Sequence, residues 1–167
     1  VVEQHKRSVY ALAYDLTGSH HDAEDLSQEV FIKAYRAMSD FRGDAQMYSW
    51  LYRITVNTYL NKRRKKALRF RQLWDDFSYT TSDGSTPRPD QGVEASTMQQ
   101  HVDAALEQLS PRERSAFVLR HYQDHSIKEV AAVMDVAEGT VKSLLFRAVK
   151  KLRTTLDFYR EDLGLSS

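Results

Sequence analysis

Cations and aromatic rings, spaced to hold a polyanion, are the side chains of this sequence most able to do chemistry. Five bases run unbroken from Lys62 to Lys66, and from Thr140 to Arg153 five more (Lys142, Arg147, Lys150, Lys151, Arg153) occur without one acid. Between Val1 and Asp40 the balance reverses, with seven acids (Glu3, Asp15, Asp22, Glu24, Asp25, Glu29, Asp40) against four bases (Lys6, Arg7, Lys33, Arg36). The formal net charge of +1 therefore conceals separated surfaces, one suited to phosphates and another acidic or polar. One such cluster would ordinarily be a solvated helix face; the segregation is what points to nucleic acid. Phe41, Tyr48, Trp50, Tyr52 and Tyr59 lie in or beside the helix that ends in the first basic run, and rings next to a cationic track are what unstacked bases need. Arg53, Asn57 and the run beginning Lys62-Arg63 would follow the backbone of such a strand. Trp50 falls on the apolar face and is expected in the core. Phe41, in a loop beside Gly43, is the better ring for a base.

Other chemistries find little support. The chain has no cysteine, which excludes disulfides, thiolate metal sites and a cysteine nucleophile and fits a reducing cytoplasm. His20-His21, Asp22 and Glu24 invite a metal-dependent nuclease, but adjacent residues at a helix start point in different directions. Neither a cofactor nor a metal is implied. No run approaches the roughly 20 apolar residues of a membrane span, and no signal peptide is expected. Val1 already lies in a helical pattern, so a short preceding piece is expected.

These side chains must be positioned by helices. Apolar residues are 41% of the 167 and charged residues 28%, enough for a soluble chain with a core. Val9, Leu12, Ala13 and Leu16 keep helical spacing, with Gly18 as the stop. Asp22 is expected to cap a second helix with two apolar faces, Ala23, Leu26, Val30, Ala34 and Ala37 on one and Phe31, Tyr35 and Met38 on the other. Phe41 to Asp44 breaks the pattern as a loop, and a third helix is expected from about Met47 to Lys66. Turn formers and two of the three prolines then crowd Phe77 to Gly92, which reads as a flexible linker. The expected architecture is all-α, two small helical domains at 1–70 and 94–167 joined by a linker at 71–93.

In the second domain Met98, Val102, Ala105, Leu106 and Leu109 form one amphipathic helix. Ser110-Pro111-Arg112-Glu113 and Ser126-Ile127-Lys128-Glu129 each carry the capping-box pattern of a helix start. From Ser126 to Arg153 the spacing is that of a helix-turn-helix: a short capped helix, the turn Asp135-Val136-Ala137, and a second helix with Val141, Leu145, Ala148, Val149 and Leu152 inward. Ala137 is a weak cap, a deficit of about 1 kcal/mol. Lys142, Ser143, Phe146, Arg147 and Lys150 face outward, early residues for base edges and flanking cations for phosphates. An ordinary helical hairpin with a basic face is the plainer alternative for this segment.

The stretch Asp22-Ala-Glu-Asp-Leu-Ser-Gln-Glu-Val-Phe-Ile-Lys-Ala-Tyr-Arg36, with Phe41-Arg-Gly-Asp44 and Trp50-Leu-Tyr-Arg-Ile-Thr-Val-Asn57, resembles region 2 of extracytoplasmic-function sigma factors. Leu109-Ser-Pro-Arg-Glu-Arg114 and Gly139-Thr-Val-Lys-Ser143 resemble region 4. The resemblance implies a sigma factor that directs core RNA polymerase to promoters. Asp25, Gln28 and Glu29 would dock on the β′ clamp helices, and the β flap would hold the chain as well. Asp40, Phe41 and Arg42 would capture a flipped base of the minus-ten element, with Arg53, Asn57, Lys62 and Arg63 along the strand. Lys142, Ser143, Phe146, Arg147 and Lys150 would read the minus-thirty-five element as duplex. A dedicated anti-sigma factor and a cytoplasmic location are implied too. Many relatives carry arginine where this chain has Leu144, which puts a DNA contact there in question. Asp135 stands where glycine is common, and aspartate tolerates the left-handed conformation better than most residues. A stand-alone helix-turn-helix regulator would share the second domain but leave the Phe41 loop and the acidic helix without a role.

Overall fold

A computed structural model describes residues 2–41, 47–76 and 97–162, and among them the only regular structure is helical. Helix α1 (Val2–Thr17) buries Val9, Leu12, Ala13 and Leu16, the stripe its periodicity predicts. It stops at Gly18, whose φ of 74° lets its N–H return to Tyr14 O at 2.7 Å. A Cβ at Gly18 would also stand 3.2 Å from an Arg114 nitrogen. Gly18→Ala is therefore expected to lower stability by about 1–2 kcal/mol, read as a fall in melting temperature.

Helix α2 (His20–Arg36) begins two residues before the expected Asp22 cap. Ser19 is the cap: its Oγ accepts the Asp22 N–H at 3.3 Å, so Asp22 serves instead as a first-turn acid favoured by the helix dipole. One face of α2 is buried as expected, through Ala23, Leu26, Val30 and Ala34. The adjoining face is only partly covered: Phe31 packs partly buried against the core, while Met38 is 49% and Tyr35 81% exposed.

A 3₁₀ turn (Met38–Asp40) leads to Phe41, whose N–H bonds Met38 O at 3.1 Å. Helix α3 (Met47–Asp76) runs well beyond the expected end at Lys66. Leu51, Tyr52, Val56 and Tyr59 pack inward, while the buried hydroxyls of Thr55 and Thr58 donate to Leu51 O and Ile54 O, each at 2.7 Å. From Asn61 to Asp75 every side chain is exposed, and nothing in the composition of that stretch breaks a helix, so α3 projects from the bundle. Residues 71–76 of the expected linker are thus helical; the remainder, 77–93, lies outside the described residues.

The second unit follows its caps closely. Both capping boxes form, Ser110 with Glu113 opening α5 (Pro111–Phe117) and Ser126 with Glu129 opening α6 (Ile127–Met134). Helix α4 (Thr97–Glu107) packs Leu106, with Leu109, on Ala148 of α7 (Glu138–Asp162). Helix α5 passes into a π turn (Val118–Tyr122). The turn between α6 and α7 is made by Asp135 at φ 56°, ψ 51°, the left-handed geometry expected of it.

The two units share one core. Buried residues of α1, α2 and α3 form a single cluster with Ala116, Val118, Leu119, Val130, Ala131, Val133, Met134, Val141 and Leu144. Polar groups close the seam. Tyr52 donates to Gln123 Oε1 at 2.8 Å, and Gln123 Nε2 donates to Asp15 Oδ2 at 3.0 Å. Arg114 donates through Nε and Nη2 to Asp15 O at 3.2 and 3.0 Å. That carbonyl belongs to the last turn of α1, so an arginine of one unit caps a helix of the other, where a cation also suits the dipole. Burial raises the Asp15 carboxyl above its ordinary range despite the Gln123 bond and the nearby Arg114.

Candidate nucleic-acid interface

In the first unit, Asp25 and Gln28 are exposed on α2, and Asp25 lies 3.6 Å from His21 Nε2. Glu29 is half-buried and joins two helices: Lys62 Nζ of α3 is 3.0 Å away and Lys33 Nζ 3.6 Å. Partial burial works to raise the Glu29 carboxyl, but the bond from Lys62 and the charges of Lys62 and Lys33 prevail and lower it. An acid of the expected docking surface is thereby paired with a cation of the expected DNA track. Gln28 also rims an apolar groove lined by Tyr10, Phe31, Ile32, Tyr35, Met38 and Trp50.

Phe41 is half-buried, its ring 5.0 Å from that of Trp50 and tilted by 40°. Asp40 ends the 3₁₀ turn, and Arg42 lies outside the described residues. Asn57, Lys62 and Arg63 are exposed along α3. Arg53 is exposed too, but its Nη2 donates to Ala132 O of α6 at 3.1 Å. The wider set of rings is corrected by burial: Tyr52 and Tyr59 are 2% and 4% exposed and are core residues, not base platforms. Tyr52 stacks on His125 at 5.3 Å, and Tyr48 donates to Ser8 Oγ at 2.8 Å. The histidine pair also has structural work. His20 Nδ1 shares a hydrogen bond with Tyr10 Oη at 2.8 Å and its ring lies 4.6 Å from Tyr14. Among the described residues no group of histidine and acids could hold a metal ion.

In the second unit, α7 presents Lys142, Ser143, Phe146, Arg147 and Lys150 outward together, Phe146 at 71% exposure. Ser143 donates to Gly139 O at 3.1 Å, which leaves its oxygen lone pairs as acceptors. Leu144 is 3% exposed and belongs to the core. No surface exists at that position for a DNA contact, because it continues the Val141, Leu144, Ala148 stripe that packs α7 on the rest of the molecule. No sequence pattern gives Glu113, Arg114 or Gln123 a role at the seam or on the recognition helix. Glu113 was visible only as a capping residue, and nothing local marks the other two as seam residues.

A helix-turn-helix with an outward basic face, joined to a helical unit with its own cationic track, defines a two-part DNA-binding protein. Comparison with known proteins makes this specific. The family described as Sigma-70 region 2 matches residues 1–69, and Sigma-70 region 4 matches residues 99–152. The chain is 37% identical to the ECF RNA polymerase sigma factor SigE of Mycolicibacterium smegmatis over its whole length, spanning 64% of that protein. It is 36% identical to the ECF RNA polymerase sigma-E factor of Escherichia coli over 87% of this chain and 78% of that one. A solved structure of the sigma factor RpoE from Bartonella quintana, in complex with the anti-sigma factor NepR, superposes with a TM-score of 0.69 at 28% identity, covering 93% of this chain and 94% of that one. The chain belongs to the extracytoplasmic-function sigma factors of the sigma-70 family.

Proposed function

We propose that this chain directs core RNA polymerase to specific promoters, reading the minus-ten element as a melted strand and the minus-thirty-five element as duplex. The observation that carries the reading is the outward row of Lys142, Ser143, Phe146, Arg147 and Lys150 on a capped helix-turn-helix, in a chain whose other unit matches region 2 of the same family. The polymerase β′ clamp helices take the α2 surface of Asp25, Gln28 and Glu29, of which Gln28 rims the apolar groove, a mix of apolar centre and polar edge usual in protein interfaces. The β flap holds the second unit. Units at 1–70 and 94–167 separate these tasks, and of the stretch 71–93 between them the first six residues continue α3. Asp40, Phe41 and Arg42 capture a flipped base, and Arg53, Asn57, Lys62 and Arg63 follow the strand.

The action is binding, without covalent chemistry, in the cytoplasm where a core polymerase would be met. No described helix is long and apolar enough to cross a membrane. Because Arg53 donates to Ala132 O, a strand can engage that nitrogen only after the side chain leaves α6. An anti-sigma factor, as seen on the Bartonella relative, is the expected antagonist. Co-purification with core polymerase tests the assignment. A stand-alone regulator would show no binding to core, and that outcome would defeat the proposal. Arg147→Ala is expected to weaken duplex binding about tenfold in a manner that depends on the minus-thirty-five sequence. Binding assays across base-substituted duplexes check this, and equal loss on every sequence would mean a phosphate contact only.

A further inference from the structure

We infer that Glu113 is a positioning residue that orients Arg147 and makes it a guanine reader in the minus-thirty-five duplex; this rests on the reading of α7 given above. Glu113 is a charged side chain in an improbable place, 4% exposed at the start of α5. One of its oxygens accepts the Ser110 N–H at 2.9 Å and meets Lys151 Nζ at 2.7 Å. The other lies 3.6 Å from Arg147 Nε. Arg147 and Lys151 are one turn apart on α7, so a single buried carboxylate meets the recognition helix at two points, a hydrogen-bonded ion pair with Lys151 and a longer charge contact with Arg147. A capping box alone needs only the Ser110 bond, and the ion pairs are additional to it.

The geometry has a consequence for recognition. The charge contact falls at Nε, 3.6 Å from the carboxylate, on a side chain that is still 57% exposed, which leaves the terminal guanidinium nitrogens for a second acceptor pair. Guanine presents such a pair in the major groove, O6 and N7. A guanidinium held from behind loses less rotamer freedom on binding and has part of its charge answered already. Both effects favour a directional base contact over a diffuse attraction to phosphate. Lys151, engaged internally at 2.7 Å, is a brace rather than a reader.

The test is binding of the full chain with core polymerase to promoters substituted at each base of the minus-thirty-five element. The native chain should prefer guanine at one position by about tenfold, and Arg147→Ala should abolish that preference. Glu113→Gln preserves the capping box, since glutamine serves there. It should cut the preference to about threefold or less while binding to unrelated duplex rises, because a negative charge near DNA is gone. Lys151→Ala should keep the preference. Melting temperatures are read alongside, and Glu113→Asp, which keeps the charge but shortens the reach, serves if Glu113→Gln melts too early. An unchanged guanine preference in the Glu113 variant would overturn the inference, as would a uniform loss shared equally by the Glu113 and Lys151 variants, the mark of a purely structural role. If Arg147→Ala itself alters no base preference, the assignment of Arg147 as a reader fails, and this inference fails with it.

Discussion

Phe41→Ala is expected to reduce promoter opening by more than about tenfold while leaving binding to the minus-thirty-five duplex nearly unchanged. Taking one base out of the stack costs a few kcal/mol, which a ring in the capture site helps to offset. The 3₁₀ turn presents Phe41 through its N–H bond to Met38 O, and Trp50, 5.0 Å away, supports the ring from behind. Truncation removes the platform but touches no part of α7. Permanganate reactivity of the melted strand and duplex gel shifts separate the two steps. Equal loss in both would count against base capture by this residue.

The second large effect is expected at the seam. Arg114→Ala removes two hydrogen bonds to Asp15 O and leaves the last turn of α1 without its cap. Charge-assisted bonds of this kind contribute about 1.5–3 kcal/mol each, so the contact between the units should loosen markedly. Gln123→Ala, which breaks the bridge from Tyr52 to Asp15, should act in the same direction with a smaller effect. Small-angle scattering should show a larger radius of gyration for Arg114→Ala, and its thermal unfolding should separate into two transitions. With Arg53 released from Ala132 O, binding of the free chain to single-stranded minus-ten DNA should rise several-fold. An unchanged radius with a single transition would show that the shared apolar core alone holds the units together.

The helices and their caps were legible because they depend on neighbours in sequence. Val9 to Leu16, the two serine–glutamate boxes and the Asp135 turn each declare themselves within a few residues. The start of α2 differs from the expected Asp22 cap because serine and aspartate are both good caps, and only geometry shows that Ser19 accepts from Asp22. The end of α3 lies beyond the expected Lys66 because, although a run of cations suits a helix terminus, Ala67 to Asp76 contains no breaker to stop propagation. The exposed face of α7 could be read from its spacing, but Leu144 could not be placed from comparison with arginine-bearing relatives; burial decides it.

The seam was the least legible feature. Tyr52 with Gln123 and Asp15 with Arg114 are brought together by packing between distant segments, and no periodicity encodes such a meeting. A free chain whose two sites were joined only by a flexible tether would bind a promoter weakly for want of coordination. The structure supplies another cause, since α6 holds Arg53 at the face that a strand must reach.

The most direct test is transcription in vitro with purified core RNA polymerase and this chain over a library of promoters. Initiation should require the chain and should select templates that share two elements at a fixed spacing, one melted and one duplex in the open complex. A chain that neither binds core nor stimulates initiation, while still binding duplex DNA through α7, would contradict the account.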